Sequence, residues 1–108
     1  SPADEWTGGL IITGRQKRHL RALARALEPV VNLGKQGLSL ETKREIESQL
    51  LDHELIKCKV LDSCPLSKKE CAEEISTMTE IEVVQIIGKT LILFSPHPED
   101  PKIKFTFA

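Results

Sequence analysis

A single α/β domain built on a mixed four-stranded sheet is predicted for this chain, from three observations. Apolar residues recur with helical spacing in three segments, and each segment is followed by a short β-rich run. The last run is followed at once by another across Gly88-Lys89, the length of a two-residue hairpin turn. The resulting order is α-β-α-β-α-β-β, in which strands flanking helices pair parallel and the terminal hairpin pairs antiparallel. A chain of 108 residues with 40% hydrophobic content has enough apolar material for one core and one domain.

Residues 1–11 read as a flexible polar linker or a remnant of expression, jointed at Gly8-Gly9. The folded domain is expected over 12–96, with a C-terminal extension over 97–108. The first helix is predicted over 15–28, where Leu20, Leu23, Ala24 and Leu27 make a buried stripe. At 100° per residue, Arg18, Arg21 and Arg25 fall on the other side within an arc of about 60°. Pro29 ends the helix, because the residue before a proline is pushed out of the α region.

A short strand over 30–33 leads into Gly34-Lys35-Gln36-Gly37, and a second helix follows over 40–53. Ser39 is its expected N-cap, Glu41 suits its first turn, and Ile46, Leu50 and Leu51 are expected to face the core. In the next strand, over 55–61, Ile56, Cys58 and Val60 alternate with Lys57 and Lys59, giving one buried and one basic face. Ser67-Lys68-Lys69-Glu70 is a capping box opening the third helix, with Cys71, Ala72, Ile75 and Met78 on its apolar side. The hairpin strands are expected over 82–87 and 90–94. Pro96, Pro98 and Pro101 keep the chain extended beyond them, and the alternating Ile103, Phe105 and Phe107 either pack back along the body or form a tail.

Net charge is −1, but its distribution is uneven. Arg15, Lys17, Arg18, Arg21 and Arg25 lie in one eleven-residue stretch with His19 and no acid, whereas residues 26–108 carry ten Lys/Arg against fourteen Asp/Glu. Charge concentrated at one end suits a polyanionic partner better than the average suggests, although a solvated helix face has the same composition. No apolar run is long enough to cross a bilayer, and the start lacks the basic-then-apolar plan of a signal peptide. Cys58, Cys64 and Cys71 form no C-x-x-C pair, and with His19, His53 and His97 they show no zinc-ligand spacing. Reduced thiols, no metal, no cofactor and an intracellular setting are the expectation, with Cys71 a core residue rather than a nucleophile.

No catalytic constellation assembles. The glycine loop lacks the spacing of a P-loop and the third glycine of a dinucleotide loop, and His53-Glu54 is not followed by a second metal-binding histidine. What the loop does offer is a side-chain-free approach to a sugar–phosphate backbone just before a helix N-terminus, beside a lysine and downstream of a basic helix. In single-strand RNA binders of the KH kind such a loop clamps the nucleotide backbone.

Longer stretches add to this. Thr13-Gly14-Arg15-Gln16-Lys17-Arg18-His19-Leu20-Arg21, Glu28-Pro29-Val30, Leu33-Gly34-Lys35-Gln36-Gly37-Leu38, His53-Glu54-Leu55-Ile56-Lys57-Cys58-Lys59-Val60 and Val83-Val84-Gln85-Ile86-Ile87-Gly88-Lys89-Thr90-Leu91 together resemble the CRM domain family, whose stand-alone bacterial members are the YhbY-like proteins. The resemblance covers about residues 12–95. It implies a non-enzymatic RNA-binding domain, similar in fold to the C-terminal domain of bacterial translation initiation factor three. It also implies a role on rRNA in precursors of the large ribosomal subunit, acting as a monomer in the bacterial cytoplasm, with ribosomal proteins as possible neighbours. Two alternatives are a CRM domain of an organellar group II intron splicing factor, and a module docking an acidic assembly protein. The resemblance places RNA contacts at Gly34, Lys35, Gln36 and Gly37 and along Arg15, Lys17, Arg18 and Arg21, which Arg25 extends, with Lys57 and Lys59 as secondary candidates. The family's last strand commonly ends in Tyr-Arg. Here it ends in Phe94-Ser95, and Glu80 and Glu82 add negative charge near the hairpin, so the expected RNA surface is confined to the first helix and the glycine loop.

Overall fold

In a computed structural model, described over residues 13–78 and 80–103, the elements are α1 (Gly14–Ala24), β1 (Pro29–Leu33), α2 (Leu40–His53), β2 (Leu55–Val60), α3 (Lys68–Ser76), β3 (Glu82–Ile87) and β4 (Thr90–Phe94). The expected linker over 1–11, Phe105 and Phe107 lie outside the described residues. The four strands form one sheet in the order β1-β2-β4-β3, with β1 parallel to β2 and both β2/β4 and β3/β4 antiparallel. This is the mixed sheet expected.

Alternation along the strands divides the core into two layers. In β4, Leu91 and Leu93 join the cluster beneath α2 and α3, while Ile92 and Phe94 join the cluster beneath α1. One helix therefore covers one face of the sheet, and two helices cover the other. Ser67 and Glu70 form the expected capping box on α3, and a second box joins Thr13 to Gln16 at the start of α1. In the hairpin turn Gly88 has φ +56°, the positive value that the first position of a type II′ turn requires.

Three expectations are corrected. α1 stops at Ala24, not at residue 28, because the chain must turn early to bring Pro29 beside Lys57 on β2. The Leu27 carbonyl, no longer in a helix, accepts a hydrogen bond from Lys57 Nζ at 3.0 Å. Leu23 is 41% exposed, since a helix lying across a sheet buries only the stripe that faces it, here Leu20 and Ala24. Leu51 is 51% exposed for a related reason: α2 sits over the β1–β2 edge, and Ile46 and Leu50 suffice to fill that contact.

The segment after β4 is held by one side chain. Glu54 closes α2 with φ 65° and ψ −38°, a backbone region costly for any residue but glycine, and is 2% exposed. Its Oε2 accepts the His97 N–H at 2.7 Å, and its Oε1 accepts the Lys102 and Ile103 N–H groups, each at 2.8 Å. The backbone carbonyl of Glu54 accepts the Ser95 N–H as well. Residues 95–103 are thus fastened to the α2–β2 junction, and Ile103 lines an apolar groove of about 460 Å³ with Leu23, Leu27 and Val30.

Candidate nucleic-acid interface

The glycine loop leaves the sheet directly after Leu33, which pairs with Val60, so it sits where β1 and β2 both end. The Gly37 N–H donates to the Gly34 carbonyl at 2.9 Å, closing a four-residue turn with Lys35 and Gln36 exposed at its apex. The two glycines are not equivalent. Gly37 is buried with φ +59°, and a Cβ there would press on Pro65 at 3.4 Å. Gly34 has no positive φ, and a Cβ there would meet Ser63 and Leu61 only at ordinary contact distances of 3.5 and 3.7 Å. Gly37→Ala should therefore cost about 1–2 kcal/mol in thermal denaturation. Gly34→Ala should leave the melting temperature within about 2 °C of the parent.

The N-terminus of α2 contributes less to anion binding than its position suggests. Ser39 accepts the Thr42 N–H at 3.2 Å, and Glu41 in the first turn already complements the positive end of the helix. Lys89, on the neighbouring hairpin turn, is salt-bridged to Asp62. Among the described residues Lys35 has no ion-pair partner, so it is the loop's available cation.

On α1, Arg15, Arg18 and Arg25 are exposed, while Lys17 and Arg21 are half-buried. Lys17 faces Glu82, whose carboxyl is pushed up by burial, an effect that the lysine partly offsets. Arg18, Arg21 and Arg25 form no ion pair with any described residue. Leu23 and Leu27 lie on the flank toward the apolar groove, and at 100° per residue Arg21 and Arg25 occupy the opposite flank.

That opposite flank borders an open part of the sheet. α1 covers Leu55, Phe94, Ile92 and Val84. The next row on the same face runs Asn32–Lys59–Thr90–Ile87 across all four strands, and no described helix covers it: Asn32, Lys59 and Ile87 are exposed. Lys59 is exposed in this row, whereas Lys57, one row nearer α1, is half-buried and bound to the Leu27 carbonyl. The two lysines paired by sequence thus have different surroundings. Asn32 was not among the residues singled out, although its place between buried Val31 and Leu33 marks it as turned to the other face.

The cysteines belong to the core. Burial, then Glu45 and Cys71, pushes the Cys58 thiol up to about 12. Burial, then Cys64, Glu74 and Glu70, does the same for Cys71. No group of three His, Cys, Asp or Glu side chains suited to a metal ion occurs among the described residues, and no described helix is long and apolar enough to cross a membrane.

A family model, the CRS1 / YhbY (CRM) domain, matches residues 12–95. The chain is 35% identical over 94 residues to "Probable RNA-binding protein YqeI" of Bacillus subtilis, across 87% of this chain and 98% of that relative. It is 42% identical over 88 residues to "Probable RNA-binding protein MJ0652" of Methanocaldococcus jannaschii, across 80% of this chain and 65% of that longer relative. Among solved structures, the solution structure of the hypothetical protein SAV1595 from Staphylococcus aureus superposes with a TM-score of 0.69 at 36% identity, covering 87% of this chain and 98% of the other.

Proposed function

The chain belongs to the CRS1/YhbY (CRM) domain family, and on that footing we propose that it is a non-catalytic RNA-binding protein acting on rRNA during assembly of the large ribosomal subunit. It works as a monomer in the bacterial cytoplasm, and its RNA contacts are Gly34, Lys35, Gln36 and Gly37 with the basic flank of α1. The observation that carries this reading is the concentration of charge: Arg18, Arg21 and Arg25 lie on α1 in a stretch without an acid, Lys35 stands at the turn apex, and none of the four is ion-paired to a described residue. In a chain with an excess of acids, an acid-free concentration of cations on one helix, in company with relatives named as RNA-binding proteins, is suited to phosphates. Lys17 and Arg15 add to the field of the helix, and Lys59 extends it along the sheet. Phosphate contacts position the nucleic acid without reading its sequence.

Salt dependence tests the proposal. Four neutralised phosphates on single-stranded RNA give a slope of about −2.8 in log affinity against log salt, which is about a 50-fold loss between 50 and 200 mM. Binding of a large-subunit rRNA fragment that changes less than about threefold over that range would overturn the electrostatic reading.

A further inference from the structure

We propose that the open sheet row Asn32–Lys59–Thr90–Ile87, with Gln85 beside it, seats unpaired RNA bases, so that the chain recognises single-stranded rather than duplex RNA. This deepens the RNA-binding reading and rests on it. The row lies between the two groups of cations: the chain passes from Asn32 through Leu33 into the Gly34–Gly37 turn on one side, and the Arg21/Arg25 flank of α1 borders it on the other. A strand whose phosphates bridge Lys35 and those arginines must cross this row.

Its chemistry suits base edges. Asn32 supplies an exposed amide, Lys59 an exposed ammonium, Thr90 a hydroxyl and Ile87 an aliphatic surface that is 51% exposed. Gln85 pairs with Ile92, so register turns its side chain to the same face. Neither the Asn32 nor the Gln85 amide has a hydrogen-bond partner among the described residues, which leaves a donor and an acceptor on each for an outside group. Side-chain amides can bond two atoms of one base edge at once, the geometry that discriminates between bases.

Two further features favour a single strand. The one Phe, Tyr or Trp side chain among the described residues, Phe94, is 1% exposed, so the row itself offers bases no such ring and holds them by their edges and by Ile87. Base edges are within reach of a flat row of short side chains only when the strand is unpaired, because an A-form duplex hides its major-groove edges in a deep, narrow groove. Three interstrand spacings make the row about 14 Å wide.

The test uses the full chain, octamers of A, C, G and U, and an RNA duplex of equal length. The parent protein should bind its preferred octamer at least about tenfold more tightly than the duplex and separate the octamers by at least about fivefold. Asn32→Ala with Gln85→Ala should shrink that separation to less than about twofold while the salt slope stays unchanged, because neither residue touches phosphate. Both side chains lack partners among the described residues, so the double variant should melt with the parent. Equal binding of duplex and single strand with a steep salt slope overturns the base-seating row and leaves the RNA-binding reading intact. An unchanged separation in the double variant overturns the row as well. Absence of binding to every RNA overturns both.

Discussion

Lys35→Asp combined with Gln36→Asp should lower RNA affinity by about 100-fold at moderate salt while leaving the fold unaltered. The two residues form the apex of a turn closed by the Gly37-to-Gly34 hydrogen bond, and both are exposed. No described side chain depends on either, so the melting temperature should move by no more than a few degrees. The charge at the apex, by contrast, goes from +1 to −2. One phosphate contact is lost, and two carboxylates face the remaining phosphates. Arg18→Glu on α1 changes affinity through the same term but spares the loop, which makes it a control for position. A folded double variant with parental affinity would remove the turn from the RNA site.

Glu54→Gln should cost about 3 kcal/mol of stability, enough to lower the melting temperature by about 15 °C. Both carboxylate oxygens of Glu54 accept backbone N–H groups, three in all, in a site almost closed to water. An amide keeps one oxygen and turns an NH₂ toward N–H donors, leaving at least one of them unsatisfied. The same geometry sets a pH dependence. Burial alone would push the Glu54 carboxyl up, but the N–H groups of His97, Ile103 and Lys102, helped by the charge of His97, hold it below the ordinary value of 4.5. A carboxyl depressed in the folded state stabilises fully above its unfolded pKa, and that contribution fades as pH falls through the folded one. The difference in stability between the parent and Glu54→Gln should therefore be largest near neutrality and shrink below about pH 4.5. A pH-independent difference in denaturant titrations would contradict this account of Glu54.

Glu54 also marks the limit of what can be read from sequence. It stands in the His53-Glu54-Leu55-Ile56-Lys57 stretch that helps carry the family resemblance, but its partners lie 43 to 49 residues downstream, and nothing local announces a buried carboxylate. Elements with local signals were legible almost to the residue. α2 is bounded by the Ser39 cap, α3 opens on the Ser67/Glu70 box, and the last two strands meet at Gly88-Lys89. The end of α1 and the exposure of Leu23 and Leu51 were not legible, because they depend on how much of each helix a neighbouring sheet covers. For the candidate site, the glycine turn and the basic residues of α1 could be picked out from spacing and charge. What could not be seen was the strand order, which sets Asn32, Lys59, Thr90 and Ile87 in one row. Nor could spacing separate Lys57, spent on a backbone carbonyl, from Lys59, one residue pair further along.

Amide chemical-shift mapping of the isotopically labelled chain, titrated with single-stranded RNA, tests the central claim most directly. The largest shifts should fall on Lys35, Gln36 and Gly37 and on the Arg18–Arg25 side of α1, with α3 and the clamped segment 95–103 unmoved. Shifts confined to α3 or to the apolar groove beside Ile103, with the Gly34–Gly37 turn silent, would contradict it.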